Sequence, residues 1–179
     1  MPGDDNMQEK GLTIIFTGDG KGKTTAALGQ VLRAVGHGLK TCVIQFIKGK
    51  WPTGEAKAMG TFGGLGEFHT MGSGFTWKCS EQETIDAAAQ AWQLTKVKVM
   101  SGAYDLVVLD ELTYLVTYKL LDENEVLDLI KQRPKQVNLV ITGRNASQGM
   151  LEAADLVTEM RLLKHPYEKG IKARAGIEY

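Results

Sequence analysis

The run Thr17-Gly18-Asp19-Gly20-Lys21-Gly22-Lys23-Thr24-Thr25 constrains this chain more than any other stretch. Upstream of it, Leu12-Thr13-Ile14-Ile15-Phe16 is short, apolar and β-branched, the mark of a parallel strand buried on both faces. Downstream, Ala26 to Arg33 reads as a helix. A strand that passes through a glycine loop into a helix forms a concave nest of backbone N–H groups at the positive end of the helix dipole. Such a nest suits a polyphosphate, with Lys23 in reach of phosphate oxygens and the Thr24 hydroxyl placed to ligate Mg²⁺. The pattern G-x-x-x-x-G-K-[ST] is met with one departure. Thr17 stands where its first glycine belongs, and the loop carries an extra Gly20-Lys21 pair. Residues Gly18 to Thr25 therefore predict a nucleotide site.

At 179 residues the chain fits one domain, 1–179, with a substantial core. Residues 1–10 are read as a flexible N-terminal segment. Basic and acidic residues balance at 21 each, so no electrostatic case arises for nucleic acid or an anionic membrane. The first ten residues lack the apolar core of a signal peptide, and no stretch approaches the roughly 20 apolar residues of a membrane span. Cys42 and Cys79 show no metal-ligand spacing, and His37, His69 and His165 are scattered. Cys42 lies in an apolar strand and is expected to be a buried free thiol. The reading is a soluble, cytoplasmic protein.

Further along, Gly36-His37-Gly38 breaks the first helix, and Lys40 to Phe46 is a second strand. Residues Lys48 to Gly74 are glycine-rich, with one short strand candidate at Glu67-Phe68-His69-Thr70. Long irregular segments of this kind are usually functional or disordered. Ser80 and Glu83 form a capping box, and Ile85, Ala88, Ala89, Trp92 and Val99 mark one face of the long helix that follows. Tyr104 to Leu109 is a buried strand ending in Asp110-Glu111. Asp122 and Glu125 open a helix that Pro134 closes. Val137–Thr142 and Leu156–Met160 are further strands, with a short helix at Ser147–Ala154 between them. Strands alternating with helices predict an α/β domain with a mainly parallel sheet flanked by helices.

A polyphosphate needs a cation, and the cation needs a carboxylate near the loop. In open α/β sheets ligands bind at the carboxyl ends of the strands, where Asp110 and Glu111 fall. Glu111, with Asp110 close behind, is assigned to the Mg²⁺ shell together with Thr24.

These residues, taken with several others, resemble the P-loop type of ATP:cob(I)alamin (corrinoid) adenosyltransferase. The resemblance rests on Gly18 to Ala27, Arg33 to Gly38, Gln45 to Gly49, Gly74-Phe75-Thr76-Trp77, Val107 to Tyr114, Ile141 to Arg144 and the ending Gly176-Ile177-Glu178-Tyr179. It runs from Leu12 to the C-terminus, with its motifs in order and at family-like separations. It implies a RecA-like P-loop fold, a homodimer, and transfer of the 5′-deoxyadenosyl group of ATP to the cobalt of a reduced corrinoid, with tripolyphosphate leaving. By the same resemblance Lys23, Thr24 and Glu111 are the catalytic group, with Mg²⁺ or Mn²⁺ as the metal. Gly18, Asp19, Gly20, Lys21, Gly22, Lys23, Thr24, Thr25 and Arg33 meet ATP, while Phe75 and Trp77 lie near the corrinoid. An electron-donating reductase is an implied partner. Asp19 stands where many members have Asn.

Co(I) is a strong, soft nucleophile, so the reaction needs placement and charge stabilisation rather than a side-chain base. Two other readings of the residues stay open at this point. A kinase or ATPase would act at the γ-phosphate, with Asp110 as its carboxylate base. A non-catalytic ATP-dependent corrinoid carrier would use Arg144 and the glycine-rich segment as a docking surface. A nucleic-acid motor is disfavoured by the small size and the lack of a basic stripe.

Overall fold

A computed structural model describes residues 10–47, 53–72 and 80–178. Six strands form one sheet: β1 Thr13–Thr17, β2 Thr41–Gln45, β3 Gly66–Thr70, β4 Leu106–Asp110, β5 Asn138–Thr142 and β6 Leu156–Glu159. Their order is β3-β2-β4-β5-β1-β6, and all five neighbouring pairs are parallel. The helices are α1 Lys23–Gly36, α2 Gly54–Met59, α3 Glu81–Met100, α4 Leu112–Thr117, α5 Glu123–Gln132 and α6 Gln148–Ala153. This is the single α/β domain with a helix-flanked parallel sheet that the alternation of elements predicts.

Because side chains alternate across a strand, each inner strand feeds two cores. On one face Val107 and Leu109 pack with Trp92 and Val99 of α3 and with Val126, Leu129 and Ile130 of α5. On the other, Leu106 and Val108 meet Ala27 and Val31 of α1 and Met59 of α2. Burial on both faces explains why β2 and β4 read as continuous apolar runs without polar alternation. β6, at the sheet edge, is exposed along its length.

Local signals set most helix boundaries. The capping box of α3 is formed: Ser80 Oγ accepts from the Glu83 N–H at 3.2 Å, and the Glu83 carboxylate accepts from the Ser80 N–H at 2.8 Å. Asp122 caps α5, and Ser147 caps α6. One face assignment changes. The buried face of α3 is Ala88, Ala91, Trp92, Thr95 and Val99, whereas Ile85 is 42% exposed and Ala89 is exposed as well. A 20-residue helix is about 30 Å long and a five-residue strand about 17 Å, so the first turns of α3 overhang the sheet. Two short helices carry no sequence signal strong enough to predict. They are α2, capped by the Thr53 hydroxyl inside the glycine-rich segment, and α4, which starts directly after Glu111.

The sheet order fixes where a ligand can sit. β5 lies between the strand that leads into the glycine loop and the strand that ends in Asp110. The loop and the acidic pair therefore face each other across one strand, at the carboxyl edge of the sheet.

Candidate active site

The loop after β1 has the backbone that its glycines allow. Gly18 (φ 91°) and Gly22 (φ 108°) both occupy the left-handed region, and Gly22 is the N-cap of α1. Gly18 supplies the turn that the standard pattern gives to its first glycine. A Cβ on Gly18 would lie 2.6 Å from the Met160 carbonyl oxygen. Thr17 ends β1, and its hydroxyl accepts from the Ala146 N–H at 3.3 Å. No side chain caps α1, and its first turn holds no acidic residue, so its free N–H groups and positive dipole end are directed at the loop.

Lys23, 7% exposed, donates to the carbonyls of Gly18 at 2.7 Å and Gly20 at 2.8 Å. Burial pushes its ammonium below the ordinary lysine range, and the nearby Glu111 charge works against that shift. The Thr24 hydroxyl donates to Asp110 Oδ1 at 2.8 Å. Asp110 is 1% exposed and accepts two further bonds, from the Thr142 hydroxyl at 2.7 Å and from Gln45 Nε2 at 2.9 Å. The Thr142 hydroxyl in turn accepts from the Glu111 N–H at 2.9 Å. Glu111 itself has φ 65°, a conformation a non-glycine residue seldom adopts, and it caps α4. At that kink the chain leaves the sheet, so Asp110 stays buried in the strand while Glu111 lines the cavity.

The cavity holds about 520 Å³. Its walls bring together Asp19, Gly20, Lys21, Gly22, Lys23, Thr24 and Thr25 from the loop with Glu111. Gly18 lies just beneath, bonded to Lys23 through its carbonyl. The Asp19 side chain is exposed and sits 3.8 Å from Arg144 Nε, at the rim of the cavity it helps to line. The structure does not bring Arg33 to this cavity. Ten residues beyond Lys23, it is exposed in the last turn of α1, about 15 Å along the helix by its rise. Phe75 and Trp77 lie outside the described residues, as do Cys79 and residues 1–9 of the expected N-terminal segment.

Several further groups belong to the site. Gln45 and Thr142 are polar residues at the carboxyl ends of strands whose centres are apolar and buried, a signal available before the structure. Tyr114 lines the cavity, and burial raises its phenol pKa with help from Glu111. The loop after β5 approaches α4 so closely that a Cβ on Gly143 (φ 137°) would fall 2.0 Å from the Thr113 hydroxyl. That hydroxyl donates to the Arg144 carbonyl at 2.6 Å, fixing the arginine at the rim. Ile177 and Glu178 close the wall from the C-terminal end of the chain.

A second polar cluster lies across the β2–β3 edge. Ligand-capable atoms of Cys42, Glu67 and His69 come within 4.8 Å of one another, a juxtaposition that the scattered histidines did not suggest. Lys98 of α3 donates to the Glu67 carboxylate at 2.6 Å, and His69 Nε2 lies 3.0 Å from it. Burial, with the Glu67 charge added, pushes the Cys42 thiol up to about 12, and Cys42 is a free, buried cysteine. Without an ion, the carboxylate holding an ammonium makes this an ion-pair cluster beside a buried thiol.

A phosphate nest at a helix N-terminus, faced across one strand by a buried threonine-bound aspartate, defines a P-loop nucleotide-binding protein of the α/β class. Comparison with known proteins narrows the class. Residues 9–179 match the family described as ATP:corrinoid adenosyltransferase BtuR/CobO/CobP, and the chain belongs to that family. It is 47% identical over 174 residues to the corrinoid adenosyltransferase of Escherichia coli (strain K12), spanning 97% of this chain and 88% of that one. It is 46% identical over 174 residues to the corrinoid adenosyltransferase CobA of Salmonella typhimurium (strain LT2), with the same shares of 97% and 88%. Identity to the corrinoid adenosyltransferase of Pseudomonas aeruginosa is 44% over 172 residues, spanning 96% and 85%.

Proposed function

We propose that this enzyme transfers the 5′-deoxyadenosyl group of ATP to the Co(I) centre of a reduced cobalamin or corrinoid precursor. The observation that carries the proposal is the loop, Lys23 and Thr24–Asp110 arrangement at one cavity, in a chain of this family. In the step, the cobalt electron pair forms a Co–C bond to the ribose 5′ carbon. The C5′–O bond breaks, and tripolyphosphate leaves with its electrons. No proton is transferred, which accords with a site organised around cationic and N–H groups.

The residues divide the task. The loop amides between Gly18 and Thr25, apart from the Gly20 N–H that the Met160 carbonyl accepts, and the ammonium groups of Lys21 and Lys23 hold the triphosphate and stabilise the charge that grows as it departs. Thr24, Asp110 and Glu111 offer only hard oxygen donors, a set suited to Mg²⁺ or Mn²⁺. When bound, such an ion supplies positive charge against the polyphosphate. Asp110 holds the Thr24 hydroxyl in orientation, and Glu111 faces the cavity. Phe75 and Trp77 are assigned to the corrinoid, as aromatic surfaces that displace its lower axial ligand and ease reduction of Co(II). The same reading includes an electron-donating reductase as partner, a homodimeric assembly and a cytoplasmic setting.

An anaerobic assay with ATP, Mg²⁺ and chemically reduced cobalamin tests the reading. The expected result is the cobalt–carbon absorption spectrum with one tripolyphosphate released per turnover. ADP as the product would instead indicate attack at the γ-phosphate and remove the proposal.

A further inference from the structure

The segment after β6 holds the phosphate loop from two directions. The Met160 carbonyl accepts the Gly20 N–H at 2.6 Å, and a Cβ on Gly20 would lie 2.7 Å from the same oxygen. Loop and segment thus meet backbone to backbone, with no room for a side chain. From there the chain runs over the surface, with Leu163 83% and Tyr167 80% exposed. It returns at a turn closed on the Arg174 carbonyl by the N–H groups of Ile177 at 3.2 Å and Glu178 at 2.8 Å, with Gly176 at φ 77°. That turn puts Gly176, Ile177 and Glu178 into the wall of the nucleotide cavity, and the Glu178 carboxylate against the ammonium of Lys21.

We infer that residues 160–178 form a clasp on the phosphate loop, and that Glu178 is a positioning residue that competes with the nucleotide's phosphates for Lys21. The inference rests on the nucleotide reading above and adds a control on it. Lys21 offers one ammonium at the mouth of a site built for a polyanion. A triphosphate entering the cavity either displaces Glu178 from that ammonium or leaves two anions sharing it. Displacement breaks an ion pair, and sharing brings like charges together. Both oppose binding. Displacement also couples occupation of the loop to release of the C-terminal turn, since Glu178 ties that turn to Lys21. Because the pair is partly exposed, its effect is modest and depends on salt.

The test is calorimetric titration of the full-length enzyme with MgATP, without corrinoid, at low and at high salt. Wild type, Glu178→Gln, Lys21→Met and the double variant are compared. Glu178→Gln is expected to bind MgATP about two- to fivefold more tightly than wild type at low salt, the range of a partly exposed ion pair. The gain should shrink at high salt and vanish in the Lys21→Met background. Equal or weaker binding by Glu178→Gln, or a gain that persists without Lys21, overturns the competition. Failure of wild type itself to bind MgATP would overturn the nucleotide reading instead, so the two failures are distinct.

Discussion

Two carboxylates, Asp110 at the carboxyl edge and Glu67 at the β3 edge, show how the same chemical group is put to different use. Glu67 is held by an ammonium: Lys98 lies 2.6 Å away, with Tyr104 and His69 adding hydrogen bonds, and its pKa falls to about 2. Its charge is compensated within the protein. Asp110 is held by two hydroxyls and an amide, all neutral, and among the described residues no ion pair reaches it. Neutral donors fix a carboxylate without cancelling its charge, so the field of Asp110 remains directed toward the loop that must hold a polyphosphate and its cation. An acidic residue paired with a lysine stabilises the fold. One surrounded by hydroxyls and amides, beside a phosphate nest, is equipped for a ligand.

The largest expected effect falls on the cationic side of the same cavity. Lys23→Ala should lower turnover by about 10²–10³, the effect of removing one preorganised donor to developing charge, or more. It also strips a donor from the Gly18 and Gly20 carbonyls, so the melting temperature should fall by a few degrees while the fold persists. Near-normal turnover in this variant would break the comparison at once, because the carboxyl edge would then hold no essential charge.

Asp110→Asn comes next, and it acts on both fold and site. The amide nitrogen would face one of three donors, leaving a buried group unsatisfied at a cost of about 1–3 kcal/mol. Denaturant melts should show that loss, and Mg²⁺-supported ATP binding should weaken with it. Unchanged stability would mean that the hydroxyl and amide contacts do not define Asp110.

Glu111→Gln sharpens the contrast within the acidic pair. Glu111 lines the cavity, so the substitution should leave the melting curve near wild type while raising the Mg²⁺ concentration needed for half-maximal activity. If Asp110→Asn alone changes the Mg²⁺ requirement, the direct metal contact belongs to Asp110.

The smallest effect is expected at the other edge. Glu67→Gln should cost no more than about 1 kcal/mol, because the Glu67–Lys98 pair is partly exposed and screened, and ATP binding should be unaltered. The folded-state pKa of Glu67 is depressed from 4.5 to about 2. Its contribution is therefore fully present above the ordinary carboxylate value and is lost as pH falls through about 2. Stability curves of wild type and variant should converge across that acid window. A difference that grows on acidification would reverse the sign and dismiss the ion pair as its source.

Much of this was legible from sequence because it is local. Ser80 and Glu83 announced the start of α3 three residues apart, and the loop glycines announced their own left-handed turns. Ile85 was misplaced because periodicity gives the direction of a helix face but not where the sheet beneath it ends. Arg33 was carried over by motif, although its place at the far end of α1 separates it from the loop.

The sequence by itself determined that a strand, a phosphate nest and a helix follow one another, and that an acidic pair ends a buried strand. Those features depend on backbone conformation and on side-chain period over a few residues. Only the tertiary structure decided what the acidic pair does. Asp110 meets partners 86, 65 and 32 residues away in the chain, at Thr24, Gln45 and Thr142. Their convergence follows from the β2-β4-β5-β1 strand order. The return of Glu178 to Lys21 is likewise a matter of topology, since no period or spacing links two residues near opposite ends of the chain.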